Sequence, residues 1–123
     1  RRRTMIAILC KSACLASEIQ AAAGAERTVS YAMDSTCSNV EGYAPWLEGC
    51  LRGNAVSVVF YEPFFFVDPA RFRVICPSAR FVVMTSPGEE EEARRALSFG
   101  AQAMLEKPVA PKDIRSVLSL VSP

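Results

Sequence analysis

Histidine is missing altogether from these 123 residues, and that one absence removes a large block of chemistry. Without imidazole there is no Cys2His2 or His-carboxylate metal site, no Ser-His-Asp triad and no imidazole general base. A surplus of one charge is missing too. Fourteen Lys and Arg against thirteen Asp and Glu leave a formal charge of +1, too little for a phosphate-backbone footprint. The triplet Arg1-Arg2-Arg3 reads as a cut linker or a solvated tail rather than a nucleic-acid or lipid contact. No apolar run approaches the ~18 residues of a membrane span, since the amino-terminal stretch from Met5 to Cys10 stops at Lys11. Membrane insertion and direct nucleic-acid contact are therefore not expected. Cys10, Cys14, Cys37, Cys50 and Cys76 are odd in number, fall in apolar or helical contexts and lack C-x-x-C spacing, which fits reduced core residues of a cytoplasmic protein.

What is present is the makings of one domain. Half of the residues are hydrophobic and 22% are charged, far from the composition of a disordered chain, and the length suffices to bury a single core. Thr4–Leu9 is an apolar run of the buried-strand kind. Ser12 then offers a helix cap before Leu15, Ile19 and Ala22 recur at i, i+4 and i+7, with Gly24 as the stop. Arg27–Ala32 is a weaker strand candidate, 34–42 reads as loop, and a helix is expected from about Pro45 to Gly53. Ala55–Tyr61, crowded with Val, Phe and Tyr, is the strongest strand signal and belongs at the centre of a sheet. Asp68-Pro69 marks the cap and first position of a short helix, and Arg80–Thr85 is the next buried strand.

Ser86-Pro87-Gly88-Glu89 has capping-box spacing and predicts a helix that begins there and runs to Phe99, with Glu89–Glu92 matched to its dipole. Gln102–Glu106 completes the strands. A last helix opens at Pro111 and carries Ile114, Val117, Leu118 and Val121 on one stripe. Five alternating strand–helix units predict a parallel sheet with helices on both faces, a (βα)5 architecture. Its chemistry would lie beyond the carboxyl ends of the strands, near Cys10, Ala32, Tyr61, Thr85 and Glu106.

At those ends a resemblance becomes visible. The run Phe81–Ser86, then a helix ending Leu97-Ser-Phe-Gly-Ala101, then Met104-Leu-Glu-Lys107-Pro108 resembles the second half of a response-regulator receiver (CheY-like) domain. In that family a strand-end Thr or Ser precedes a Lys-Pro pair whose peptide bond is usually cis, and Thr85 and Lys107-Pro108 stand at those positions. The resemblance implies a flavodoxin-like receiver fold over 4–123, with residues 1–3 as linker or tag remnant, and a domain excised from a longer signalling protein, since receivers usually serve an attached output domain. The first half is matched by topology alone.

The same resemblance shows what has been replaced. Active receivers carry two acidic residues after the first strand to hold Mg²⁺, where this chain has Cys10 and Lys11. They carry an acceptor aspartate after the third strand, where this chain has Val59, Phe60, Tyr61 or Glu62, with Glu62 the best substitute, and an aromatic switch residue on the fifth, where it has Met104. Mg²⁺ is therefore not expected to bind, and the resemblance implies a degenerate pseudo-receiver: not an enzyme, but a phosphorylation-independent interaction module of two-component-type signalling. Lys107, left without a phosphoaspartate, needs a counter-charge, and Glu62 is the expected partner. A histidine kinase or an attached output domain is the implied partner, with possible homodimerisation through the fourth helix, fifth strand and fifth helix.

Two other readings use the same residues. Lys11, Thr85 and Lys107 with backbone amides would suit an anion or a nucleotide second messenger. Cys10, with Ser12 and Ser17 behind it, is similar to the phosphocysteine loop of sugar-transport IIB proteins. The run Phe64-Phe65-Phe66 is either core packing or an exposed partner contact.

Overall fold

The structure, a computed structural model, describes residues 5–24, 26–32, 43–53, 56–65 and 67–121. The expected loop at 34–42, Arg1–Arg3, Cys37 and Phe66 lie outside the described residues. In chain order the elements are β1 (Met5–Cys10), α1 (Ala13–Ala23), β2 (Arg27–Ala32), α2 (Tyr43–Gly53), β3 (Val56–Tyr61), α3 (Pro69–Arg73), β4 (Arg80–Thr85), α4 (Glu90–Ser98), β5 (Ala103–Glu106) and α5 (Pro111–Val121). A 3₁₀ turn at Pro63–Phe65 separates β3 from α3.

All strand pairs are parallel, in the order β2-β1-β3-β4-β5. This is the doubly wound arrangement in which the strand order reverses next to β1, so that β1 and β3 open a crevice at their carboxyl ends. The three inner strands, β1, β3 and β4, are buried nearly throughout, because a parallel sheet covered on both faces gives its strands no solvated side.

Alternation along the strands feeds two cores. Ile6, Ile8, Phe60, Val82 and Met84 pack with Leu15 and Ile19 of α1 and Ile114 and Val117 of α5. Ala7, Leu9, Val59, Tyr61, Phe81 and Val83 pack on the other side with Leu47 and Leu51 of α2, Phe72 and Ala96. Each fully buried Ile, Leu or Phe contributes on the order of 2–3 kcal/mol by area, so these two layers, rather than any single contact, carry the fold.

The helix ends follow the expected chemistry at two places. Ser12 Oγ accepts from the N–H groups of Cys14 (3.1 Å) and Leu15 (3.4 Å) to cap α1. Asp68 Oδ1 accepts from Ala70 N–H at 3.1 Å to cap α3, with Pro69 as its first residue. The α2 helix begins at Tyr43, two residues before the expected Pro45, which sits within the first turn where its missing N–H costs nothing.

The expected start of α4 at Ser86 needs correction. Glu89 N–H donates to Ser86 O at 3.0 Å, and Gly88 has φ +96°, so Ser86–Glu89 is a tight turn with Pro and Gly in the positions a type II turn favours. The helix begins at Glu90. Half of the capping box still forms, with Glu89 Oε1 accepting from Ser86 N–H at 2.6 Å.

Candidate functional site

The crevice at the strand ends is built around Glu62, the first residue after β3. Its N–H donates to Leu9 O at 3.1 Å and its carbonyl accepts from Phe65 N–H at 3.0 Å, so the backbone is held by β1 on one side and the 3₁₀ turn on the other. The residue is 4% exposed. Its Oε1 accepts from Lys11 N–H at 2.5 Å, and its Oε2 meets the Lys107 ammonium group in an ion pair. One carboxylate thus ties the end of β1 to the loop after β5. A carboxylate buried this far needs such partners, since removing it from water costs several kcal/mol otherwise.

Lys107 is positioned from behind by its own backbone, whose N–H donates to Thr85 O at 2.8 Å, and the Lys107-Pro108 peptide is cis. Thr85 itself is buried, while Ser86 and Glu89 line the crevice from the end of β4. Lys11 is exposed and lays its ammonium 4.5 Å from the centroid of the Phe64 ring, a cation–π contact at the mouth. The crevice encloses about 380 Å³. Its charged lining consists of two lysines, Lys11 and Lys107, against three carboxylates, Glu18, Glu62 and Glu89. That balance works against an anionic guest, because the cation that would receive it is already paired.

The structure separates other expected site residues from this crevice. Cys10 is wholly buried in the α1–α5 core, where its thiol donates to Ser12 O at 3.0 Å. A phosphocysteine mechanism needs a reachable thiol, so the Cys10 reading is corrected: the exposed cysteine near this loop is Cys14. Tyr61 also points elsewhere. Strand alternation turns it into the opposite core, edge-on to Phe81 with ring centroids 6.4 Å apart. Burial, reinforced by the Asp68 carboxylate, raises the pKa of its hydroxyl above the ordinary tyrosine range, and that hydroxyl has no hydrogen-bond partner among the described residues.

Met104 stands on β5, paired in register with Val83 and 42% exposed. The phenylalanine run divides: Phe65 is fully buried against Tyr31, Tyr43 and Phe64, whereas Phe64 is 39% exposed at the crevice mouth. Ser86, Glu89 and Glu18 were not foreseen as lining residues. Their side-chain types signal little in sequence, and only the turn at Ser86–Glu89 and the packing of α1 bring them to the site.

Among the described residues, no group of three His, Cys, Asp or Glu side chains is arranged to hold a metal ion, and no helix is long and apolar enough to cross a membrane.

No family model matches the sequence, and no curated protein matches it either. Solved structures do. A parallel (βα)5 domain with the order β2-β1-β3-β4-β5 and its crevice beside β1 and β3 defines the class, and the solved structures similar to it include response regulators. The chain is similar to the chemotaxis response regulator CheY4 of Vibrio cholerae, with a TM-score of 0.74 at 14% identity over 97% of this chain and 98% of that one. It is similar to a response regulator receiver domain protein from Clostridium thermocellum, with a TM-score of 0.70 at 18% identity over 96% and 93% of the two chains. Full-length FixJ from B. japonicum matches with a TM-score of 0.73 at 14% identity, covering 98% of this chain and 58% of that one. The chain has the CheY-like receiver fold.

Proposed function

We propose that this domain is a pseudo-receiver: a binding module of two-component-type signalling that works without phosphorylation and catalyses nothing itself. The observation that carries the reading is the Glu62 carboxylate, standing after β3 and engaged at both oxygens by Lys11 N–H and the Lys107 ammonium. In a receiver the lysine is there to meet a phosphoryl group on the residue after β3. Here a carboxylate already meets it, so the crevice is held in one state.

The residues do not fit Mg²⁺. The ion requires about six hard oxygen ligands in near-octahedral geometry, and the end of β1 offers a buried thiol and a lysine. Glu62 is occupied, and its ammonium partner repels a cation. No step of the proposed mechanism passes through a metal.

With the crevice locked, output depends on surface. α4, β5 and α5 leave Leu97, Met104 and Leu120 exposed, and this is the face we assign to a partner protein. The partner would be an attached output domain, a histidine kinase or a second copy. The five cysteines, odd in number and without C-x-x-C spacing, suit a reducing compartment, so we place its action in the cytoplasm.

The test is incubation with acetyl phosphate and Mg²⁺ followed by intact mass. The proposal requires an unchanged mass. A stable phosphoryl adduct mapped to Glu62 or Asp68 would contradict it.

A further inference from the structure

The 3₁₀ turn Pro63–Phe65 begins directly after the residue that closes the crevice. Glu62 accepts from Phe65 N–H through its carbonyl at 3.0 Å and from Lys11 N–H through its carboxylate at 2.5 Å. A displacement of Glu62 is therefore a displacement of the turn. Two neighbouring rings leave that turn for different surroundings. Phe64 lies at the crevice mouth, 39% exposed, under the Lys11 ammonium, and Phe65 is wholly buried.

From Phe64 the rings run on in contact. Phe64 meets Phe65 edge-on with centroids 5.6 Å apart, Phe65 meets Tyr31 of β2 edge-on at 6.2 Å and Tyr43 of α2 at 5.5 Å, and Tyr31 meets Trp46 of α2 at 5.4 Å. Core packing alone would account for Phe65, Tyr31 and Trp46. It does not call for Phe64, a partly exposed ring that takes the ammonium of the same residue whose N–H Glu62 holds. Edge-to-face pairs favour particular separations and tilts, and a close-packed interior passes a displaced ring on to its neighbours rather than absorbing it. The elements α4, β5 and α5 carry no aromatic side chain, so this line of rings leads to α2 and not to them.

We propose that these rings are a conformational relay, in which the arrangement of Lys11 and Glu62 at the crevice sets the packing of α2 through Phe64, Phe65, Tyr31 and Trp46. With Lys11 on Phe64 the turn is held and α2 is held with it; withdrawal of the Lys11 ammonium frees Phe64 and loosens α2. The shared element is the 3₁₀ turn, biased from the crevice at one end and from the ring cluster at the other. The inference rests on the reading of the crevice as held in one state by Glu62, but the mass after acetyl phosphate says nothing of Trp46, so the two fail separately.

Trp46 is the one tryptophan of the chain, so its indole N–H is a single reporter at the far end of the line. The test records that signal and amide hydrogen exchange in the full ¹⁵N-labelled chain and in Lys11→Met, Glu62→Gln, Phe65→Leu and the double variant of Lys11→Met with Phe65→Leu. Lys11→Met keeps the aliphatic stem of an exposed side chain, so folding is preserved. The expected result is a shifted Trp46 signal in Lys11→Met and in Glu62→Gln. In Lys11→Met the Leu47 and Leu51 amides of α2 should also exchange about two- to fivefold faster, the size of one exposed cation–π contact, while the Ile114 and Val117 amides of α5 keep their rates. With Phe65→Leu in place the line is cut, and Lys11→Met should leave Trp46 unmoved. A Trp46 signal unmoved by both Lys11→Met and Glu62→Gln would overturn the relay. Equal acceleration in α2 and α5 would overturn it too, since that is plain loss of stability, as would the same Lys11→Met shift with and without the Phe65 ring. Should Phe65→Leu not fold, the two single variants decide alone.

Discussion

Replacing Lys107 by Met isolates the energetics of the crevice. The Glu62 side chain is 5% exposed and that of Lys107 26%, so the pair is neither a surface bridge, worth about 0–1 kcal/mol, nor fully buried, where removal of one partner costs about 3–5 kcal/mol. Lys107→Met keeps the aliphatic stem and strands the Glu62 charge with the Lys11 N–H as its remaining described partner. A loss of about 1.5–3 kcal/mol follows, discounted for the solvent that reaches Lys107. Glu62→Gln costs less, about 1 kcal/mol, because the freed ammonium can turn toward water. The double variant presents two neutral groups and is expected to be more stable than Lys107→Met alone. Urea denaturation followed by the fluorescence of Trp46, the one tryptophan of the chain, gives all four corners of the cycle. A coupling of at least about 1 kcal/mol is required; a value below about 0.3 kcal/mol would show that the pair does not hold the crevice.

Three further outcomes follow from other parts of the molecule. Tyr61 holds its proton more tightly folded than unfolded, so the unfolded state loses that proton first as pH rises, and stability falls above about pH 10 by up to about 1.4 kcal/mol per pH unit from this residue. Tyr61→Phe should flatten that alkaline decline in urea titrations; an unchanged slope would mean that the hydroxyl is solvated. Gly100 has φ +118°, and a Cβ there would stand 3.1 Å from Arg73 Nη1, whose partner nitrogen Nη2 donates to Gly100 O at 2.6 Å. Gly100→Ala should therefore lower stability by about 1–2 kcal/mol, mostly backbone strain because the arginine tip can move; thermal unfolding checks it. Ser12→Ala removes the acceptor for two N–H groups at the start of α1 and should cost about 1 kcal/mol in the same assay.

The strands were legible because their signal is composition rather than period. Apolar residues dominate β1, β3 and β4, with Ser57 the one polar residue inside a run, as a sheet covered on both faces demands. That same burial hid which strand-end residue faces the crevice. In a strand with polar and apolar sides, alternation would have shown that Tyr61 turns away; in β3 both faces are apolar, so only the charge of Glu62 marked it as the better candidate. The turn at Ser86–Glu89 was read as a helix start because Ser, Pro and Glu serve both, and only the φ of Gly88, invisible in sequence, decides between them. The pairing of Glu62 with Lys107 was within reach of sequence because a lysine at the end of β5 in this architecture needs a counter-charge, and Glu62 is the carboxylate that directly follows β3.

The most direct test of phosphorylation independence is titration of the ¹⁵N-labelled chain with beryllofluoride and Mg²⁺, which together mimic a bound phosphoryl group. With Lys107 already paired to Glu62, the amides of Lys11, Glu62, Thr85 and Lys107 should show no saturable shift. A saturable shift centred on those four residues would mean that the crevice still closes around a phosphoryl group, and that the domain is a working switch.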